Sequence, residues 1–182
     1  MDFSYSEEQQ MLQDSVQKFV QRHYSFDDRN AILASPKGYS EECWSLFAEL
    51  GWLTVPYSED DGGFGGLATD LMVLMEEFGK AMVVEPFVPT AVLGGDIIAA
   101  LGDAAQKEPL LSAVMEGQLQ LACGLYEADG RYNLANVATS AKREGDEYLV
   151  SGEKILVLNG AEAAQLLVSV RTSGEQRDAS GV

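Results

Sequence analysis

The hydrophobic period changes once along this chain, near Leu119, and that change sets the fold class. Before it, apolar residues recur at helical spacing; after it they alternate loosely, as on a strand. Leu12, Val16, Phe19 and Val20 share one helical face behind Ser6 and Gln9, which stand at capping-box spacing. A second helix starts near Ser40 and carries Trp44, Phe47 and Leu50, with Gly51 as its stop glycine and Pro56 blocking further helix. Leu71, Leu74, Met75 and Phe78 stripe a third helix, capped by Thr69 or Asp70. Thr90 to about Leu101 reads as a fourth, weakened by Gly94 and Gly95, and Lys107 to Glu116 as a fifth, closed by Gly117. Residues 1–117 are thus expected to form a helical bundle. Leu119–Leu125, Thr139–Arg143, Tyr148–Val157 and Gln165–Arg171 read as a β meander, with Glu144-Gly145-Asp146 as a turn. The expected class is α+β: a helical bundle over 1–117, then an incomplete antiparallel β domain over 118–182. Such a set of strands cannot close a barrel, so its open edge calls for a partner or for more chain.

Composition narrows the function. A net charge of −17 over 182 residues argues against nucleic acid and anionic membrane surfaces as partners. Cys43 and Cys123 make no disulfide framework, which fits a reducing compartment and points to the cytoplasm. The N-terminus, MDFSYSEEQQ, lacks the basic and apolar regions of a signal peptide, and no apolar run is long enough to span a membrane. The single histidine, His23, cannot build a two-histidine metal site, and no cysteine cluster replaces it; no metal is expected.

The stretch Glu59-Asp60-Asp61-Gly62-Gly63-Phe64-Gly65-Gly66 looks at first like a phosphate loop. Its glycines have neither the G-x-G-x-x-G register nor a following Gly-Lys-Ser/Thr, and three carboxylates precede them. Those charges repel a phosphate. A tight turn at a close helix approach, with Phe64 as its apolar plug, is the better reading.

Taken as one line, Val55-Pro56-Tyr57-Ser58-Glu59-Asp60-Asp61-Gly62-Gly63-Phe64-Gly65-Gly66 resembles the "vPeeyGGlGg" turn of the acyl-CoA dehydrogenases. "FSYSEEQQMLQDSVQKFV" resembles that family's first helix, "WSLFAELGWLTVPYSEDDGG" its second helix and turn, and "DLMVLMEEFGKAM" the helix after it. "AKREGDEYLVSGEKILVLNGAEAAQLLVSVRT" resembles its middle β domain. The resemblance implies an FAD-dependent flavoprotein that removes the α and β hydrogens of an acyl-CoA thioester to give the trans-2-enoyl-CoA. It implies homo- or hetero-oligomers of acyl-CoA dehydrogenase subunits, and electron-transfer flavoprotein or a similar acceptor. It also implies a C-terminal four-helix domain, with the catalytic glutamate in most members, that these residues do not include. No residue here is therefore assigned as catalytic, and the 182 residues alone are expected to be inactive.

The family's "T-E-P-G-A-G-S-D" run falls on Tyr126 to Asn133. Its flavin-donating threonine is matched by Tyr126, whose phenol can still donate. Arg131 and Tyr132 match its glycine and serine and become candidate substrate-binding residues, Arg131 through its charge. The family's "K-x-W-I-T-N" strand falls on Lys154 to Asn159, so Leu156 replaces the tryptophan beside the flavin and Leu158 the hydroxyl that reaches flavin N5. The cofactor-binding set is Cys123, Leu125, Tyr126, Leu156, Val157 and Leu158. Ala91 and Gly94 are candidate acyl-cavity residues, since small side chains leave room there; close helix packing is the other reading of them. The altered side chains resemble pimeloyl-CoA-dehydrogenase-like small subunits, in which one subunit is diverged and its partner supplies the better site. A diverged, non-catalytic subunit of a heteromer is therefore the alternative function. A free acyl-CoA binding module is disfavoured by the acidic surface.

Overall fold

The computed structural model describes residues 4–182. Met1 to Phe3, which open both the N-terminal stretch and the first-helix resemblance, lie outside the described residues. The chain divides into two compact units, the first ending at Gln120 and the second running from Leu121 to Val182.

In the first unit, α1 (Glu7–His23) begins at the expected capping box: Ser6 Oγ accepts from Gln9 N, and Gln9 Oε1 accepts from Ser6 N, each at 3.1 Å. Acidic Glu7 and Glu8 lie in its first turn and basic Arg22 and His23 in its last, each favourable to the helix dipole. A short helix, α2 (Phe26–Leu33), follows where no apolar stripe announces one; none of its residues is buried, and a second capping box at Ser25 and Asp28 starts it. Next, α3 (Glu41–Glu49) buries Cys43, Trp44 and Phe47 and stops at Gly51, whose φ of 75° suits glycine.

The helix α4 (Ala68–Ala81) starts before the expected cap. Leu67 is its N-cap, and Asp70, three residues on, accepts from Leu67 N at 2.6 Å. Asp70 thus caps from inside the first turn. α4 lies against α1, where Gln13 and Gln17 both donate to the buried Glu77 carboxylate at 2.9 and 3.2 Å. Burial alone pushes the Glu77 carboxyl up, but bonds from Lys80, Gln17 and Gln13 outweigh it and hold the carboxyl below its ordinary value.

The expected fourth helix is two elements. Val88–Gly94 is π-helical and runs directly into α5 (Gly95–Leu101). α6 (Ala104–Met115) starts earlier than its stripe suggests, behind a capping box of Asp103 and Gln106, and ends before Gly117. The core between these helices is aromatic: Phe19, Phe47, Trp52, Phe78 and Phe87 form a continuous cluster with ring centroids 4.9–5.6 Å apart. Trp44 Nε1 donates to Gly117 O at 3.0 Å and ties α3 to the end of α6.

The glycine cluster is a turn. Gly63 and Gly66 leave no room for a Cβ against the carbonyls of Tyr57 and Val55, and Gly65 N donates to Tyr57 O at 2.9 Å. Its plug is Tyr57, fully buried, rather than Phe64, which is 70 % exposed and only lays its ring edge against Gly51.

In the second unit, β1 (Leu121–Gly124) is buried along its length. β2 (Ser140–Glu144) and β3 (Glu147–Ser151) form an antiparallel hairpin around Gly145. β4 (Gln165–Val168) pairs with β1 and runs parallel to it, Leu121 opposite Gln165 and Gly124 opposite Val168. The strands are therefore not a meander: parallel neighbours need a long crossover, and the hairpin with residues 152–164 supplies it. β3 also ends earlier than its apolar run, because Gly152 packs directly on Thr139 and turns the chain out of the ladder.

Candidate functional site

The residues expected to face a cofactor come from two segments that meet at an edge of the second unit. Tyr126, just past β1, makes an isolated antiparallel bridge to Ile155, and Ile155 N donates to Tyr126 O at 2.9 Å. Residues opposed across such a bridge share a face. Tyr126 and Ile155 therefore stand together on one side, and Glu127 and Lys154, one residue on and one residue back, turn to the other.

That inner side holds a buried ion pair. Lys154 Nζ lies 2.8 Å from Glu127 Oε1, and both side chains are only 8 % exposed. Glu127 Oε1 also accepts from Thr139 N and Thr139 Oγ1 at 2.9 and 2.6 Å, and Oε2 accepts from Ala138 N at 2.7 Å. Lys154 donates in addition to Ser169 Oγ at 3.0 Å. Burial pushes the Glu127 carboxyl up, but the Lys154, Thr139 and Ala138 donors overcome that and hold it at about 2. Sequence reasoning missed this pair. The sequence carried half its signal: Lys154 sits in an apolar strand pattern, where an unpaired charge is too costly to bury, but Glu127 lies past the Leu119–Leu125 run.

The outer side is apolar and open. Leu156 is 77 % exposed and Leu158 59 %, with Val157 between them half-buried and Tyr126 36 % exposed. Leu156 to Leu158 lie outside both strand ladders. Leu156 has φ 54°, a left-handed conformation that costs a branched side chain of order 1–3 kcal/mol, and such strain clusters at functional sites. Behind this edge, Cys123 is buried, its thiol pushed up by burial, and Leu125 is half-buried. The expected substrate residues Arg131 and Tyr132 sit on the exposed turn that follows Glu127, Tyr132 being 95 % exposed and Arg131 taking φ 49°. The edge offers apolar contact and one phenol donor, and no side-chain donor at Leu158.

In the helical unit, Ala91 and Gly94 are both buried. Ala91 O accepts from the Tyr57 hydroxyl at 2.7 Å, so packing fills the space beside the small residues there. A mostly apolar cleft of about 280 Å³ opens nearby, lined by Met75, Phe78, Met82, Phe87, Val88 and Pro89 together with Glu85; neither Ala91 nor Gly94 lines it. Among the described residues no helix is long and apolar enough to cross a membrane.

The chain is a helical unit followed by this β unit, with a strained apolar edge past β1. The family model "Acyl-CoA dehydrogenase, N-terminal domain" matches residues 6–118, and the chain belongs to the acyl-CoA dehydrogenase family. The acyl-CoA dehydrogenase FadE12 of Mycobacterium tuberculosis is 31% identical over 183 residues, covering 96% of this chain and 45% of that one. Among solved structures, the Tcur3481-Tcur3483 steroid acyl-CoA dehydrogenase variant is 33% identical with a TM-score of 0.81, over 91% of this chain and 45% of that one. The ChsE4-ChsE5 complex from Mycobacterium tuberculosis is 28% identical with a TM-score of 0.83, over 98% and 46%. The chain spans about half the length of the relatives it matches.

Proposed function

We propose that this chain is part of an FAD-dependent acyl-CoA dehydrogenase and forms one wall of its flavin site. The observation that carries the reading is the open edge of Tyr126 and Leu156 to Leu158, held from behind by the Glu127–Lys154 pair. FAD, when bound, supplies the acceptor for the hydride from the acyl β carbon. Tyr126 would offer its phenol as a donor to FAD, and Leu156 and Leu158 would exclude water beside it. Cys123 and Leu125 back the same wall. Arg131 meets a phosphate of the cofactor or of the CoA moiety, with Tyr132 beside it in sequence. The π-helical segment that carries Ala91 and Gly94 contributes to the acyl-binding wall, and the mostly apolar cleft beside it suits an alkyl chain. No acidic residue of this chain is assigned as the base. The acyl-CoA is bound, and the electrons passed to an electron-transfer flavoprotein or similar acceptor, by a homo- or hetero-oligomeric assembly in the cytoplasm.

A second reading rests on Leu158. Without a hydroxyl there, the side chain cannot donate to the flavin. Two of the similar structures carry paired subunit names. A diverged subunit that pairs with a catalytic homologue accounts for both facts. The visible absorption spectrum of the protein as isolated, and again after incubation with FAD, separates the readings. A bound-flavin spectrum supports the first. A protein that stays colourless, yet restores flavin or activity to a co-expressed homologue, supports the second.

A further inference from the structure

The flavin-facing edge joins two segments by one backbone bridge, outside any ladder. A single bridge specifies register weakly, and a one-residue slip turns every side chain to the other face. Something else must fix which residues point outward. Directly behind the bridge, Lys154 and Glu127 meet at 2.8 Å, one residue from Ile155 and one from Tyr126. Glu127 is in turn pinned by Ala138 and Thr139 just before β2, and Lys154 by Ser169 just past β4. A buried ion pair contributes little stability beyond what apolar side chains of similar volume supply, and its best-attested use is to fix register.

We propose that Glu127 and Lys154 are positioning residues, which set the register of Tyr126 against Ile155 and so present Tyr126 to the cofactor, while the left-handed turn at Leu156 (φ 54°) breaks the alternation that would otherwise return Leu156 to Lys154's face. The proposal rests on the reading of this edge as the flavin wall. A slip by one residue would bury Tyr126 and expose the Glu127 charge, so only the paired register keeps that charge off the outer face. The contact of Gly124 with the Lys154 stem supports this register, since the Lys154 Cγ lies within 3.2 Å of where a Cβ on Gly124 would stand.

The test uses the 182-residue chain with Glu127→Gln and Lys154→Met together, a pair that leaves no unpaired buried charge. Amide hydrogen exchange is followed residue by residue, and FAD itself is titrated by its fluorescence. The expected result is a tenfold or greater rise in exchange at Ile155, with the β2–β3 amides and the helical unit unchanged. The apparent Kd for FAD is expected to rise at least tenfold, and Lys154→Arg alone to keep both near the parent values. Unchanged protection at Ile155 overturns the proposal. So does a uniform loss of protection across the β unit, which marks the pair as merely stabilising. If the parent chain binds no FAD, the flavin-wall reading fails for this chain on its own, while the exchange at Ile155 still decides whether the pair sets register.

Discussion

The Tyr57 hydroxyl donates to the Ala91 carbonyl at 2.7 Å, and it occupies the space that a Cβ on Gly95 would fill. The two facts belong together. A π-helical turn leaves carbonyls out of the α-helical pattern, and a buried carbonyl without a donor is costly. Tyr57 reaches in from the glycine turn to satisfy one of them, and Gly95 is what lets it arrive.

Gly95→Ala is therefore expected to destabilise the helical unit by about 2–4 kcal/mol, although glycine to alanine inside a helix ordinarily stabilises by about 0.5–1 kcal/mol. Tyr57→Phe keeps the ring and loses only the bond, for about 1–2 kcal/mol. Urea unfolding followed by tryptophan fluorescence reads both. A neutral or stabilising Gly95→Ala would sink this account of the π turn.

Acid should loosen the β unit through Glu127. Its carboxyl is held at about 2 in the folded chain against an ordinary value of 4.5, so the stabilisation is complete above pH 4.5 and is lost as pH falls toward 2. The shift corresponds to roughly 3 kcal/mol at most. Protonation of the other carboxylates relieves repulsion in a chain of charge −17 and acts in the opposite direction. The informative quantity is thus the difference between the parent and Glu127→Gln. The parent should lose more stability than the variant between pH 5 and 2.5, measured by denaturant unfolding at each pH. Parallel curves would contradict the assignment.

What the sequence made legible follows from where local signals and packing agree. Ser6 and Gln9, and the stripe of Val16 and Phe19, specify α1 twice over, and it lies where they place it. The α2 helix has only its cap signal, because none of its side chains is fully buried and Ile32 is its one apolar residue packed against the core, so no stripe marks it. The π turn leaves the same apolar spacing as an α-helix for so short a run and is set by Tyr57, a distant residue. The parallel pairing of β1 with β4 is invisible in alternation, which fixes faces and not partners. At the candidate site, the outward Tyr126 and Leu156 could be named from resemblance, whereas Glu127 and Lys154 come together only in three dimensions.

Arg131 stands where the family's run has a glycine, and it holds φ 49°. A side chain in that conformation is strained, so Arg131→Gly should leave stability unchanged or raise it by about 1 kcal/mol despite the added freedom of the unfolded chain. Arg131→Val should lower it by about 1–2 kcal/mol, because a β-branched residue tolerates this region poorly. Thermal melts of the three proteins give the order. If Arg131 binds a phosphate, the glycine variant should also weaken CoA or FAD binding severalfold while melting no lower than the parent.

Arg171 organises the last residues of the chain without any carboxylate. Its guanidinium donates to the carbonyls of Val137, Ala135, Ser173, Gln176, Asp178 and Ser180, at 2.9–3.3 Å, and the residue is buried. No other side chain carries enough N–H groups in a planar fork to serve so many acceptors. Arg171→Met keeps the stem and strips the donors. It should free residues 172–182 while leaving the helical unit intact, since all six acceptors lie in the second unit. Trypsin reports this directly, because Arg177 lies inside the segment that Arg171 holds. Cleavage after Arg177 should accelerate at least tenfold in Arg171→Met, with the melting of the helical unit unmoved. Equal cleavage rates would mean that the segment is held by its own turns, such as the Glu175 N bond to Asp178 at 2.9 Å, and not by the arginine.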